Sequence, residues 1–155
     1  MAEPDWLTER ELSAWRGFLT MQEDLRRRLN RQLVHDSGLS YADYAVLATL
    51  SDATDRCLRV FELREALRWE KTRLTHQISR MAARGLVQRE TSADDSRGQV
   101  VAMTTEGYAA ILKAAPGHAA TVRRLFFDAL SPRQVDTLAT LSAAVLENIA
   151  DRDPD

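Results

Sequence analysis

A single cysteine, Cys57, stands among 155 residues, and one thiol excludes an intramolecular disulfide framework. No run of about 18 apolar residues occurs, so no transmembrane helix is expected. The stretch from Met1 to Glu11 is acidic and has no apolar core of the kind a secretory leader carries, so the expected location is cytoplasmic. The three histidines, His35, His76 and His118, lie far apart, with no i, i+4 pair and no CxxC beside them, and nothing argues for a metal. No G-x-S-x-G, P-loop, H-E-x-x-H or glycine-rich nucleotide fingerprint is present. The nearest paired carboxylates, Asp94 and Asp95, are adjacent in the sequence, in an expected turn where they would point apart. An enzyme is the weakest reading, and no cofactor is implied. Internal repeats and low-complexity segments are missing as well.

What is there is an ordinary globular balance, 45% hydrophobic and 28% charged residues, in a chain of the length that fits one domain with its own core. The net charge of −2 is unevenly spread. Between Arg59 and Glu90 eight Lys and Arg face four Glu, whereas the first 25 residues hold six acids and two arginines. A basic centre between acidic ends suits one surface that meets a polyanion, and it suits a solvated charged face equally well.

Helix punctuation is clear. Thr8 with Glu11 reads as a capping box, followed by apolar residues at Leu12, Trp15, Phe18, Leu19, Leu25, Leu29 and Leu33 up to a C-terminal Gly38. Ser40 with Asp43 opens a second helix through Tyr44, Leu47, Ala48 and Leu50. Ser51–Cys57 reads as a polar loop and Leu58–Val60 as a short strand. Phe61–Trp69 reads as a short helix burying Leu63, Ala66 and Leu67. Glu70 to Arg84 reads as a longer helix burying Leu74, Ile78 and Met81, closed by Gly85. Leu86 and Val87 start a strand. A helix is expected from Thr104 or Thr105, with Pro116 and Gly117 as a point of interruption and the pattern resuming at Val122, Leu125 and Phe126. Ser131, Pro132 and Gln134 open the last one, with a stripe of Val135, Leu138, Leu141, Val145 and Ile149.

Two helices across a short turn, the second basic on its outer side and followed by a hairpin, form a winged helix-turn-helix. A helix fits the major groove of a duplex, and a wing carries an arginine toward the backbone or the minor groove. The expected outer face of the basic helix is Lys71, Thr72, Arg73, Thr75, His76, Gln77 and Arg80, residue types that donate to phosphates and base edges. Glu70 sits at the helix start, where the dipole favours an acid.

From Lys71 to Arg89, KTRLTHQISRMAARGLVQR resembles the recognition helix and first wing strand of the MarR family of transcriptional regulators. Asp95-x-Arg97, followed by Thr104-x-x-Gly107, resembles that family's wing signature. Met103 stands where the family usually has Leu, Ser92-Ala93 where many members have Asp-Pro, and Phe61 where a small capping residue is common. The likeness covers nearly the whole chain. It implies a mainly α fold and a single domain over residues 1–155, in which a winged-helix lobe at about 40–107 carries a small β-hairpin wing. Dimerisation helices are expected at about 8–38 and 108–150.

That resemblance implies DNA contacts from Lys71, Thr72, Arg73, Thr75, His76, Arg80 and Arg97, with Asp95 and Gly98 supporting the wing and Thr104 capping the next helix. It implies a homodimer on a pseudo-palindromic operator and repression relieved by a small, aromatic or phenolic effector. Trp15, Phe18, Tyr44 and Trp69 are the candidates for lining the effector cleft; taken singly, each is an ordinary core aromatic. Two alternatives stand beside this reading: a winged helix that binds protein rather than DNA, and a thiol-based sensor through Cys57, whose neighbour Arg56 would lower its pKa.

Overall fold

The first turn of a helix leaves backbone N–H groups without acceptors, and nearby side chains supply them. In the computed structural model, which describes residues 4–91 and 98–152, Thr8 and Glu11 close the expected capping box and open α1, Glu9–Ser37. The Glu11 carboxylate accepts the Thr8 N–H at 2.8 Å, and Thr8 Oγ1 accepts the Glu11 N–H at 3.2 Å. Gly38 ends α1 with a φ of 71°, in the left-handed region where a side chain is strained. Ser40 and Asp43 repeat the capping box at α2, Tyr41–Asp52.

After α2 the chain departs from the sequence reading. The helix runs through Asp52 and is followed by a 3-10 turn, Thr54–Arg56, in which Asp55 and Arg56 take positive φ. Strand β1 is Cys57–Arg59, and Val60 already belongs to α3, Val60–Leu67. The Glu62 carboxylate accepts the Arg59 N–H at 2.9 Å, which sets the helix start one residue before Phe61. Leu63 is buried and Leu67 half-buried, but Ala66 is exposed. Arg68, in the left-handed conformation, turns the chain into α4, Lys71–Ala83.

Strands β2, Val87–Thr91, and β3, Gln99–Met103, pair antiparallel as the expected hairpin, from Val87 opposite Met103 to Thr91 opposite Gln99. The short strand β1 pairs with the other side of β3, giving the order β1-β3-β2. Helix α5, Thr105–Leu125, continues through Pro116, although proline gives up one helical hydrogen bond and its ring crowds the carbonyl four residues earlier. Phe126 falls just outside it. Helix α6, Pro132–Arg152, starts at the expected Ser131/Gln134 box.

The core joins Leu33 and Leu39 to Val46, Leu47 and Leu50 of α2, Leu63 of α3, Leu74, Ile78 and Met81 of α4, and Val87 and Val101 of the sheet. Thr104 locks the hairpin to α5: its Oγ1 donates to the Gly85 carbonyl at 2.6 Å and accepts the Gly107 N–H at 2.9 Å. Two units are distinguished, Met1–His118 and Ala119–Asp155, with the boundary inside α5. In the second, α6 exposes Leu141, Val145, Leu146 and Ile149. Among the described residues no helix is long and apolar enough to cross a membrane.

Candidate nucleic-acid interface

Helix α4 divides by face. Leu74, Gln77, Ile78 and Met81 are buried, while Lys71, Thr72, Arg73, Thr75, His76 and Arg80 are all exposed. The outer face therefore carries three cations, two hydroxyls and an imidazole, and the first turn holds no acid. Thr75 Oγ1 donates back to the Lys71 carbonyl at 2.9 Å, so its methyl and hydroxyl stay close to the helix. The Arg73 guanidinium lies over the Trp69 ring, 4.0 Å from its centroid, in a cation–π contact that orients a long side chain without removing its charge. Arg89 on β2 bonds Ser79 on α4, tying the first wing strand to this helix.

Gln77 does not belong to the outer face, where its type had placed it. At 4% exposure it points inward, and its Nε2 donates to Asp43 Oδ1 at 2.6 Å. The Asp43 carboxylate, 3% exposed, also accepts from the Ser40 N–H at 2.8 Å and from Arg84 Nη1 at 2.6 Å. Arg84 Nη2 reaches the Gly38 carbonyl at 2.9 Å. One carboxylate thus joins the start of α2 to the middle and end of α4, and Arg84 continues the link to the end of α1. Such a group is tolerable in a core because three donors, one of them a guanidinium, compensate its lost hydration. Sequence reading missed this cluster, although position 77 lies three residues from Leu74 and four from Met81, on the buried stripe.

The hairpin pairing ends at Thr91 opposite Gln99. Gly98 is half-buried beside β3; Asp95 and Arg97 lie outside the described residues.

Within the single chain the four aromatic candidates for the effector cleft lie in different places. Trp69 lines an open cleft of about 480 Å³ with Glu23, Arg26, Tyr41 and Arg73. Tyr44 lines a different one, with Ser51, Arg56 and Tyr108, and stacks obliquely on His118 at 4.3 Å. Burial pushes the Tyr44 hydroxyl pKa up. Trp15 and Phe18 stack on each other, 5.8 Å apart, on an exposed face of α1. Helical spacing places residues on a face, but the cleft each meets depends on how the helices pack.

Cys57 is half-buried, and its thiol pKa is pushed up by burial and then by Glu90, Asp55 and Glu62. Arg56 does not offset this: its guanidinium sits over the Tyr108 ring, 3.5 Å from the centroid. The environment is opposite to the electropositive one a reactive thiolate needs.

The MarR family model matches residues 37–98, which run from the end of α1 through the helix-turn-helix and into the wing. The structure of Sco3205, a MarR family transcriptional regulator from Streptomyces coelicolor in complex with DNA, superposes with a TM-score of 0.92 at 34% identity, over 98% of this chain and 97% of that one. This chain belongs to the MarR family. AbsC, a second MarR family regulator from S. coelicolor, superposes with a TM-score of 0.89 at 34% identity, over 96% of this chain and 100% of its own. The HTH-type transcriptional repressor YetL of Bacillus subtilis is 31% identical over 98 residues, which is 61% of this chain and 59% of YetL. MarR proteins are transcriptional regulators rather than enzymes, and the mainly α winged-helix fold with long terminal helices is theirs.

Proposed function

We propose that this MarR protein is a homodimeric, sequence-specific DNA-binding regulator that acts as a repressor and is released by a small effector. The observation that carries the reading is the divided face of α4: an apolar stripe docks it on the core, and Lys71, Thr72, Arg73, Thr75, His76 and Arg80 stand outward together. That is the arrangement a recognition helix needs, with exposed cations to neutralise phosphates and polar tips able to reach base edges. The close likeness to Sco3205, which was captured on DNA, supports it. Asp95, Arg97 and Gly98 would complete the interface as the wing, within a DNA-binding lobe at about 40–107.

Dimerisation is supported by apolar side chains left in water. On α1, Trp15 and Phe18 are 52% and 45% exposed, and on α6 Val145 and Ile149 are 54% and 55% exposed. Each helix would bury such a stripe against a second copy, with about 8–38 and 108–150 as the dimerisation segments. A two-fold dimer would set two recognition helices in successive major grooves, with half-sites about 10 base pairs apart. An effector seated in a cleft beside Trp69 and Arg73 would act by changing the spacing of those helices.

The test is selection of binding sites from a random-sequence duplex pool, followed by fluorescence anisotropy at about 50 mM and 200 mM salt. Recovery of a palindromic site with a steep salt slope is the expected result, and Arg97→Ala should weaken binding and reduce the slope. Absence of duplex binding even at the lower salt would overturn the reading in favour of a protein-binding winged helix.

A further inference from the structure

We infer that Asp43 and Gln77 form a buried positioning device for Arg80, fixing the guanidinium of a DNA-facing arginine before DNA arrives; the inference rests on the DNA-binding reading of α4. The Asp43 carboxylate already accepts from the Ser40 N–H and from the Arg84 guanidinium, so the end of the Gln77 amide that faces it is the NH₂ group. That group lies 2.6 Å from Asp43 Oδ1. The assignment leaves the amide carbonyl directed outward, where Gln77 Oε1 accepts from Arg80 Nη2 at 2.9 Å. The orientation of one buried amide therefore decides where one exposed guanidinium is held.

Asp43 is itself held independently of α4. Its Oδ2 closes the capping box on the Ser40 N–H, and Asp43 N–H donates to Ser40 Oγ at 3.0 Å. Arg84 holds the same oxygen from the end of α4. The carboxylate is thus a fixed reference point on α2, and Gln77 transmits its position across the helix to the outer face. Arg80 commits Nη2 to Gln77 and keeps its remaining donors on the exposed side. An arginine ordered in advance avoids the ordering cost that a freely rotating one meets on binding, an effect of about threefold to tenfold in affinity. Neither Asp43 nor Gln77 touches DNA in this scheme; both act through Arg80.

The experiment is a double-mutant cycle on binding to a fluorescein-labelled random-sequence duplex, with Gln77→Met, which keeps the buried volume and loses the amide, Arg80→Ala, and both together. Arg80→Ala is expected to lower the log–log salt slope by about 0.9, one phosphate contact. Gln77→Met is expected to weaken binding about threefold to tenfold with the slope unchanged, and to have no further effect once Arg80 is alanine. A weakening that persists undiminished in the Arg80→Ala background marks a merely structural role and overturns the inference, as does wild-type affinity in a folded Gln77→Met protein. The second measurement needs no mutant that must fold: the ¹⁵Nε order parameter of Arg80 in the free wild-type protein is expected to be high, and an Arg80 side chain as mobile as that of Arg133 overturns the device. Failure of the wild-type protein to bind duplex at low salt overturns the DNA reading instead and takes the binding role of Arg80 with it, whereas the relaxation result reports on the positioning alone.

Discussion

Replacing Gly107 with alanine should destabilise this protein, although the same change in an open helix stabilises. A Cβ built on Gly107 would stand 2.1 Å from the Leu86 carbonyl oxygen, and 3.1 Å from both the Leu86 carbonyl carbon and Met103 Cγ. The methionine can turn aside. The carbonyl cannot, because it accepts the Thr104 N–H at 3.2 Å and its own residue donates to Met81 at 3.0 Å. Relief must come from lifting the start of α5 away from the hairpin by about 1 Å, the difference from an ordinary carbon–oxygen contact of about 3.3 Å. That movement strains the Thr104–Leu86 bond and the Thr104–Gly85 bond. Two hydrogen bonds at about 1 kcal/mol each and an overpacking cost of about 1–3 kcal/mol outweigh the gain of about 1 kcal/mol in helix propensity. The net loss is about 2–4 kcal/mol. Urea unfolding followed by circular dichroism, at one protein concentration because a dimer's midpoint depends on it, should show a midpoint lower by about 1–2 M for an m-value near 2 kcal/mol/M. Gly17→Ala is the matching control: nothing lies within 4 Å of its added Cβ in α1, so stability should rise by about 0.5–1 kcal/mol. A midpoint for Gly107→Ala equal to or above wild type would refute the argument.

Three further outcomes follow from the same geometry. Val145→Glu, on the exposed apolar stripe of α6, should convert the proposed dimer of twice 17.5 kDa to a monomer in size-exclusion chromatography with light scattering; a mass equal to that of a wild-type dimer would remove α6 from the interface. Because burial and three carboxylates raise the Cys57 thiol pKa, its alkylation at neutral pH should be slower than that of free cysteine and accelerate only at higher pH, and peroxide should leave DNA affinity unchanged; rapid alkylation near pH 7 would reinstate the redox reading. Burial lowers the His118 pKa, so the folded state favours the neutral ring and the unfolded state takes up the proton first. Stability should accordingly hold above about pH 6.5 and fall as pH drops below it, and His118→Phe should flatten that fall in urea titrations between about pH 7 and 5.

The capping boxes of Thr8 with Glu11, Ser40 with Asp43 and Ser131 with Gln134, the left-handed Gly38 and Gly85, and the apolar stripe of Leu74, Ile78 and Met81 were legible in the sequence. Each depends on residues within about four positions of one another, where helical geometry alone sets the distances. The hairpin after α4 was legible for the same reason, and the outer face of α4 followed once its buried stripe was placed. What sequence reading could not supply were relations between residues distant along the chain. Gln77 reads as one more polar residue on a basic helix until Asp43, 34 positions earlier, is found beneath it. Cys57 gained Glu90 as an acidic neighbour because β3 brings β1 and β2 into one sheet, and Arg56 was drawn to a ring 52 residues further on. Trp69 and Tyr44 parted into separate clefts because packing, not periodicity, decides what a face meets. Gly107 shows both limits at once. Its Thr-x-x-Gly spacing belongs to the sequence, but the reason only hydrogen fits there is the Leu86 carbonyl, 21 residues away along the chain and brought against it by the fold.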